Sequence, residues 1–249
     1  MTFKDYFSGH AADYAQARPR YPDALFEWLA TQCPRRESAW DAGCGNGQAA
    51  VALARHFDRV RATDPSAGQI AQAPTHPRVE YRVEPAESPT LDDSSVDLVT
   101  VAQASHWFGA DRFHHAVRRV AQPGAIVALW SYGLSRVTPA VDAVYHALYD
   151  GLLGPYWTPE RQHVEDGYAT LPFPYAPVEA PSFAMALSWT LPQYLAYLRT
   201  WSASQRYQRE VGRDAVAQVA DDMADAWGDP ALVRVVRWAI SLRVGLVAP

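Results

Sequence analysis

Two carboxylates and a run of glycines stand where a ligand could be held. Asp41-Ala42-Gly43-Cys44-Gly45-Asn46-Gly47 lies between a short apolar run, Ala39-Trp40, and the helix-like stretch Ala49–Phe57. Glycines at a strand-to-helix turn let the backbone bend sharply and let a ligand press against main-chain atoms that a Cβ would screen. Nicotinamide and flavin enzymes use such a turn too, but two details set this one apart. The spacing is GxGxG rather than GxGxxG, and Asp41 precedes the first glycine by two residues. An acid at that point suits a cationic amino-acid moiety and suits a pyrophosphate badly. Asp64 follows 17 residues after Gly47, at the end of the next apolar run. A carboxylate there can accept both hydroxyl protons of an adenosine ribose. The other reading of Asp64 is a turn-forming residue before Pro65.

The elements that must position these residues follow from the apolar pattern. A helical lead-in occupies the first forty residues, broken at Pro19 and Pro22, with Leu25, Phe26, Trp28 and Leu29 on an inner face. From Ser38 short apolar runs alternate with helices. Strands are expected at Ala39-Trp40, Val60–Thr63, Val79–Val83, Val96–Ala102 and Ala125–Trp130, with Ser66 as an N-cap and a helix at Arg112–Val120. The unbroken run Val96–Ala102 suits burial on both faces. Strands and helices alternating at this spacing imply a parallel sheet built from right-handed crossovers. Further on, the pattern predicts a helix at Pro139–Leu152, a strand at Phe183–Trp189, and helices near Gln193–Ser204 and Asp214–Ala226. The alternation of Trp238, Ile240, Leu242, Val244 and Leu246 predicts a half-buried last strand.

The totals narrow the function. At 249 residues the chain is long enough for one large α/β domain with insertions or for two small ones, and 49% hydrophobic with 20% charged residues is an ordinary globular balance. A net charge of −5 leaves no basic surplus to neutralise phosphates, so no nucleic-acid partner is expected. Lys4 is the only lysine; the positive charge is otherwise arginine. Two cysteines, Cys33 and Cys44, are too few for a disulfide framework or a zinc cluster. No signal-peptide pattern or 18-residue apolar run occurs, so a cytoplasmic protein without a membrane anchor is expected, as a monomer or weak dimer.

The run Trp40–Gly47 resembles the first motif of class I S-adenosylmethionine (SAM)-dependent methyltransferases. Asp64 matches their ribose-binding acid, and Ala86-Glu87 resembles the step that meets the adenine. Val96-Asp97-Leu98-Val99 with Gln103-Ala104-Ser105-His106-Trp107-Phe108 is similar to the fourth-strand motif. Arg119-Val120-Ala121-Gln122-Pro123-Gly124 resembles the L-x-P-G-G turn, with Ala125 in place of the second glycine. The similarity covers residues 5–131. Tyr14-x-x-x-Arg18-Pro19-x-Tyr21-Pro22 and Ser105–Phe108 resemble the branch that includes trans-aconitate methyltransferases.

The resemblance implies a Rossmann-like fold: a mainly parallel seven-stranded sheet with an antiparallel terminal strand, in one domain spanning 1–249. Residues 1–37 form the lead-in over the cofactor, 38–131 the SAM-binding core, 132–205 the variable acceptor or lid region, and 206–249 the terminal helix and strand. SAM would contact Tyr14, Arg18, Asp41, Gly43, Cys44, Gly45, Gly47, Asp64, Pro65, Ser66, Ala86, Glu87, Gln103 and Ala104. Tyr14 would close the methionine side and Arg18 would pair with the methionine carboxylate. Because the sulfonium already activates its methyl group, the protein need mainly align an acceptor. A general base matters only if the acceptor must lose a proton. His106 is the candidate base, or else an orienting residue. The acceptor would be a small molecule, with a carboxylic acid as one candidate, held by His106, Trp107, Trp130 and Tyr132, with Tyr156, Trp157 and Trp201 as further walls. Arg136 and Arg161 are candidates to grip a carboxylate. No metal is expected, and His114 and His115 read as surface residues. The rival readings are a SAM-binding protein without turnover and, more remotely, a nucleotide-cofactor oxidoreductase.

Overall fold

In a computed structural model, residues 19–248 are described. The expected contacts Tyr14 and Arg18 lie outside them. The sheet runs in the order β3-β2-β1-β4-β5-β8-β6, where β1 is Ser38–Ala42, β2 Arg59–Asp64, β3 Val79–Val83, β4 Val96–Ala102, β5 Ala121–Tyr132, β6 Ala176–Val178, β7 Phe183–Trp189 and β8 Arg234–Leu246. The first five strands are parallel, and β8 enters antiparallel beside β5. Both β6 and β7 pair with β8. β6 pairs with Val244–Leu246 and β7 with Arg234–Ile240, so they share its outer edge end to end. Eight strands therefore fill the seven expected positions.

β1 is buried throughout, and β4 is buried from Val96 to Val101, as the Val96–Ala102 run predicts for a strand covered on both faces. Ser38, Asp41, Asp97 and Thr100 are the buried polar residues of these two strands, and Asp97 serves the sheet itself. It accepts from the backbone amides of Glu37 (3.0 Å) and Ser38 (3.1 Å) and from Arg35 Nε (3.3 Å), which ties the start of β1 to β4.

β5 starts earlier than expected, and the expected helix Pro139–Leu152 spans its full length but changes type part-way. β5 begins at Ala121, paired with Val96, and a register shift follows before Leu98 meets Ile126. Pro123-Gly124 is thus a bulge within the strand's start rather than a turn before it, and Gly124 takes φ 81°. The helix from Pro139 continues past His146 as a π-helical turn over Ala147–Leu152.

His114 is also not a surface residue. On the amphipathic helix Ala110–Val120 it falls on the buried face with Phe113, Val117 and Val120. Its ring nitrogens meet the Tyr175 hydroxyl (2.7 Å) and the Pro172 carbonyl (3.0 Å). His115 is exposed, as expected.

Candidate cofactor and acceptor site

The chain turns outward to β2 and β3 on one side of β1 and to β4 and β5 on the other, so the crevice beyond the ends of β1 and β4 is the switch point where open α/β sheets bind ligands. Asp41 and the glycine turn leave β1 there, and Gln103–Phe108 leaves β4. The two segments touch: a Cβ on Gly43 would stand 2.7 Å from Ala104 Cβ and 2.9 Å from Phe108 Cζ. Gly43 and Gly47 also take φ of 67° and 82°, a conformation that side chains disfavour. The amides of Gly43 and Cys44 both donate to the Thr63 carbonyl, which locks the turn onto β2.

Asp64 bridges the two loops. Its Oδ2 accepts from the Gly45 amide (2.9 Å) and its Oδ1 from the Ser66 amide (2.8 Å). A carboxylate has about four acceptor directions, so these bonds leave capacity for two hydroxyl protons. Asp64 is thus both a turn-former and a candidate ligand residue. Ser66 caps the short helix after it through Gln69 N.

Asp41 is wholly buried. Thr100 donates to its Oδ1 at 2.9 Å, while Oδ2 has no hydrogen-bond partner. Burial raises its carboxyl to about 7. The Thr100 bond opposes the rise, the Asp64 charge adds to it, and the Ala50 amide pulls it back without reaching hydrogen-bond geometry at Oδ2. Four buried side-chain atoms among the described residues lack a partner: Asp41 Oδ2, Tyr81 OH, Trp130 Nε1 and Ser131 Oγ. They lie on β1, β3 and β5, with Asp41, Trp130 and Ser131 near the ends of their strands. Tyr81 reaches Gly47, where its hydroxyl would clash with an added Cβ. Native proteins leave few such atoms, and a ligand at the glycine turn is a physical reason for two of them, Asp41 Oδ2 just before the turn and Tyr81 OH against Gly47.

Because its folded pKa is raised, Asp41 contributes stability that is present below pH 3.8 and lost as pH rises through about 7. Ligand-free protein should therefore lose thermal stability over this range, and Asp41→Asn should lose less of it. Half-buried His106 and buried His114, both with lowered pKa, act with the opposite sign at the acid end, so the difference between the two melting curves is the readout. Parallel curves would contradict the Asp41 assignment.

The remaining expected contacts have visible partners. Glu87 Oε1 accepts from the Gly109 amide at 2.7 Å, at the head of the helix Ala110–Val120. Gln103, at φ 58°, clasps the Tyr132 backbone through both ends of its amide, donating at 3.1 Å and accepting at 2.8 Å. Its side chain thus holds β5 to β4, and a cofactor would meet its backbone. Ala86 is buried, and Cys44 is a buried thiol held well above the usual thiol range chiefly by burial. Trp130 and Tyr132 lie beneath Tyr21, whose ring meets theirs edge-on at 5.4 and 6.2 Å.

Chain comparisons agree with this geometry. The family description "Methyltransferase domain" matches residues 40–129. A Dictyostelium discoideum protein provisionally named a methyltransferase is 32% identical over 241 residues, covering 94% of this chain and 92% of that one. This chain belongs to the class I SAM-dependent methyltransferase family. A solved Anaeromyxobacter dehalogenans structure, provisionally described as a type II methyltransferase, is 50% identical to this methyltransferase, with TM-score 0.88 over 93% of this chain and 99% of that one. An uncharacterized methyltransferase of Mycobacterium tuberculosis is 34% identical over 124 residues, about half of each chain (49% and 50%).

On the acceptor side of the methyltransferase, Ser105–Trp107 forms a short 3₁₀ turn, and the helix Arg161–Glu165 packs against it. His106 Nδ1 lies 2.8 Å from the Tyr168 hydroxyl. Burial, then the charges of Arg161 and His163, push the His106 imidazole down to about 3. Trp107 is 40% exposed and lines a shallow cleft with Tyr156, Ser202 and Arg206. A second cleft is lined by Tyr149, Trp157, Arg161 and Glu165. Arg161 Nε donates to Tyr149 OH (2.7 Å) and its guanidinium lies over the Trp157 ring, while its Nη groups have no hydrogen-bond partner among the described residues. Arg136 is exposed and paired to Arg237 through backbone alone. Trp201 is buried among Tyr145, Tyr149 and Trp157. Tyr168 was missed by sequence reasoning, since nothing local marks a residue 62 positions from its partner.

No cluster of His, Cys, Asp and Glu able to hold a metal occurs among the described residues. Among them, no helix is long and apolar enough to cross a membrane.

Proposed function

We propose that this methyltransferase moves a methyl group from SAM to a small carboxylic acid. The observation that carries the cofactor assignment is the half-satisfied, wholly buried Asp41 behind the glycine turn. A buried carboxylate with one bare oxygen suits the ammonium of a methionine moiety. Gly43, Gly45 and Gly47 would lie against the ligand, Asp64 would take the ribose hydroxyls, and Ala86 would pack at the adenine. SAM, when bound, supplies a methyl group already activated by its sulfonium.

The chain's own residues then have to hold an acceptor in line and keep water out. Arg161 favours an anion: its Nε side is taken up by Tyr149 and an ion pair with Glu165 at 3.9 Å, but its Nη groups are unbonded among the described residues, and its charge acts on His106. A carboxylate is ionised at neutral pH and needs no base. His106 then orients the acceptor.

Calorimetric titration should give binding of SAM and none of NAD; binding of NAD instead would overturn the cofactor reading. With a carboxylate acceptor, His106→Gln should keep most of the rate, because the amide can still hydrogen-bond. A fall of about 10²–10⁴-fold in kcat with SAM affinity intact would mean that a base is required, and that the acceptor is a hydroxyl, thiol or amine instead.

A further inference from the structure

Two histidine–tyrosine pairs, one buried and one half-buried, share a geometry. At His114 the Pro172 carbonyl near Nε2 can only accept, so Nε2 carries the proton and Nδ1 accepts from the Tyr175 hydroxyl. At His106 the same nitrogen, Nδ1, faces the Tyr168 hydroxyl at 2.8 Å. Tyr168 is wholly buried, and His106 Nδ1 is the one acceptor that its hydroxyl meets among the described residues, where a buried O–H needs an acceptor. The single Tyr168 proton is then left for Nδ1.

The segment carrying Tyr168 is built to hold this contact. Tyr168 is fully buried and takes φ 63°, a left-handed conformation uncommon for a residue with a side chain. Its amide donates to the His163 carbonyl at 2.8 Å. Arg243 Nη1, with its guanidinium over Phe173, reaches from β8 to the carbonyls of Tyr168 (2.5 Å) and Leu171 (2.7 Å). Backbone held in a disfavoured region by surrounding bonds is found where a side chain must be aimed.

We propose that Tyr168 is a positioning residue that fixes His106 as the neutral Nε2–H tautomer, so that His106 donates a hydrogen bond to the acceptor and cannot take a proton from it through that nitrogen. Burial keeps the Tyr168 hydroxyl protonated far above neutral pH and holds His106 neutral, so the proton count of the pair does not change near pH 7. Nε2 has no hydrogen-bond partner among the described residues. A donor there selects an acceptor atom with lone pairs and no proton. In a carboxylate, one oxygen can receive the Nε2–H bond while the other faces the methyl group. The role of the Nε2–H group rests on the acceptor site lying beside His106. The tautomer itself does not.

Long-range ¹H–¹⁵N correlation on histidine-labelled protein tests the tautomer without SAM or acceptor, with His106 assigned by its loss in His106→Gln. The wild type should show His106 as Nε2–H at neutral pH. Tyr168→Phe should give mixed tautomers and a His106 that protonates at higher pH than in the wild type. His114, whose partner Tyr175 is untouched, should stay Nε2–H and report that the fold is intact. An Nδ1–H signal for His106 in the wild type would overturn the proposal whether or not the variant folds. So would an unchanged His106 signal in a folded Tyr168→Phe. Failure of the acceptor reading shows elsewhere, as methyl transfer to a protonated acceptor with the tautomer as expected.

Discussion

Asp64→Ala should weaken SAM binding at least tenfold. Two hydrogen bonds from ribose hydroxyls to a charged group would be lost, at roughly 1.5–3 kcal/mol each. The same change should lower thermal stability, because the Gly45 and Ser66 amides lose their acceptor. Each orphaned amide costs about 1–3 kcal/mol if water does not replace the carboxylate. Asp64→Asn separates the two roles. Its amide oxygen can still accept one backbone bond, so stability should recover in part, while affinity stays below wild type for want of the charge. Calorimetry showing unchanged affinity in Asp64→Ala would leave Asp64 as a turn-former alone.

Gly43→Ala should be the more damaging of two matched changes in the glycine turn. At Gly43 the added methyl meets Ala104 Cβ at 2.7 Å and Phe108 Cζ at 2.9 Å, in a backbone at φ 67°. Left-handed strain and overpacking together cost roughly 2–5 kcal/mol. They also separate the two segments that line the crevice, so SAM affinity should fall below detection. At Gly45 the nearest contact is Gln69 Oε1 at 3.7 Å, with φ 53°. Gly45→Ala should therefore cost only the backbone strain, about 1–2 kcal/mol. Thermal melts of the pair check the order. Equal losses would mean that the contact between the turn and the fourth-strand loop does not set the turn's geometry.

The parts of this molecule legible in the sequence are those fixed by local chemistry. The acid-led glycine turn, Asp64 before Pro65 and the Ser66 cap each lie within a few residues of the element they serve, so spacing alone locates them. β4 is readable because burial on both faces leaves a long apolar run, and β1 because Ala39-Trp40 leads straight into the glycine turn. β7 spans Phe183–Trp189, as its pattern predicts. What stayed hidden depends on distant pairing. β6 is three residues long and exists because β8 offers an edge, and Pro123-Gly124 reads locally as a turn although β5 already pairs with β4 at Ala121. His114 looked like half of a solvated pair, because nothing near it in sequence announces Tyr175 and Pro172. Glu87 likewise finds its partner at Gly109, across a whole strand. Tyr168 belongs to the same class.

Transfer of labelled methyl from SAM, offered against a panel of small carboxylic acids, alcohols, thiols and amines, tests the account most directly. The expected product is a methyl ester: label should pass to one or more of the acids and be released as methanol by mild base. Label fixed instead to a hydroxyl, thiol or amine in a base-stable form, or SAM bound tightly with no label transferred to any acceptor, would contradict it.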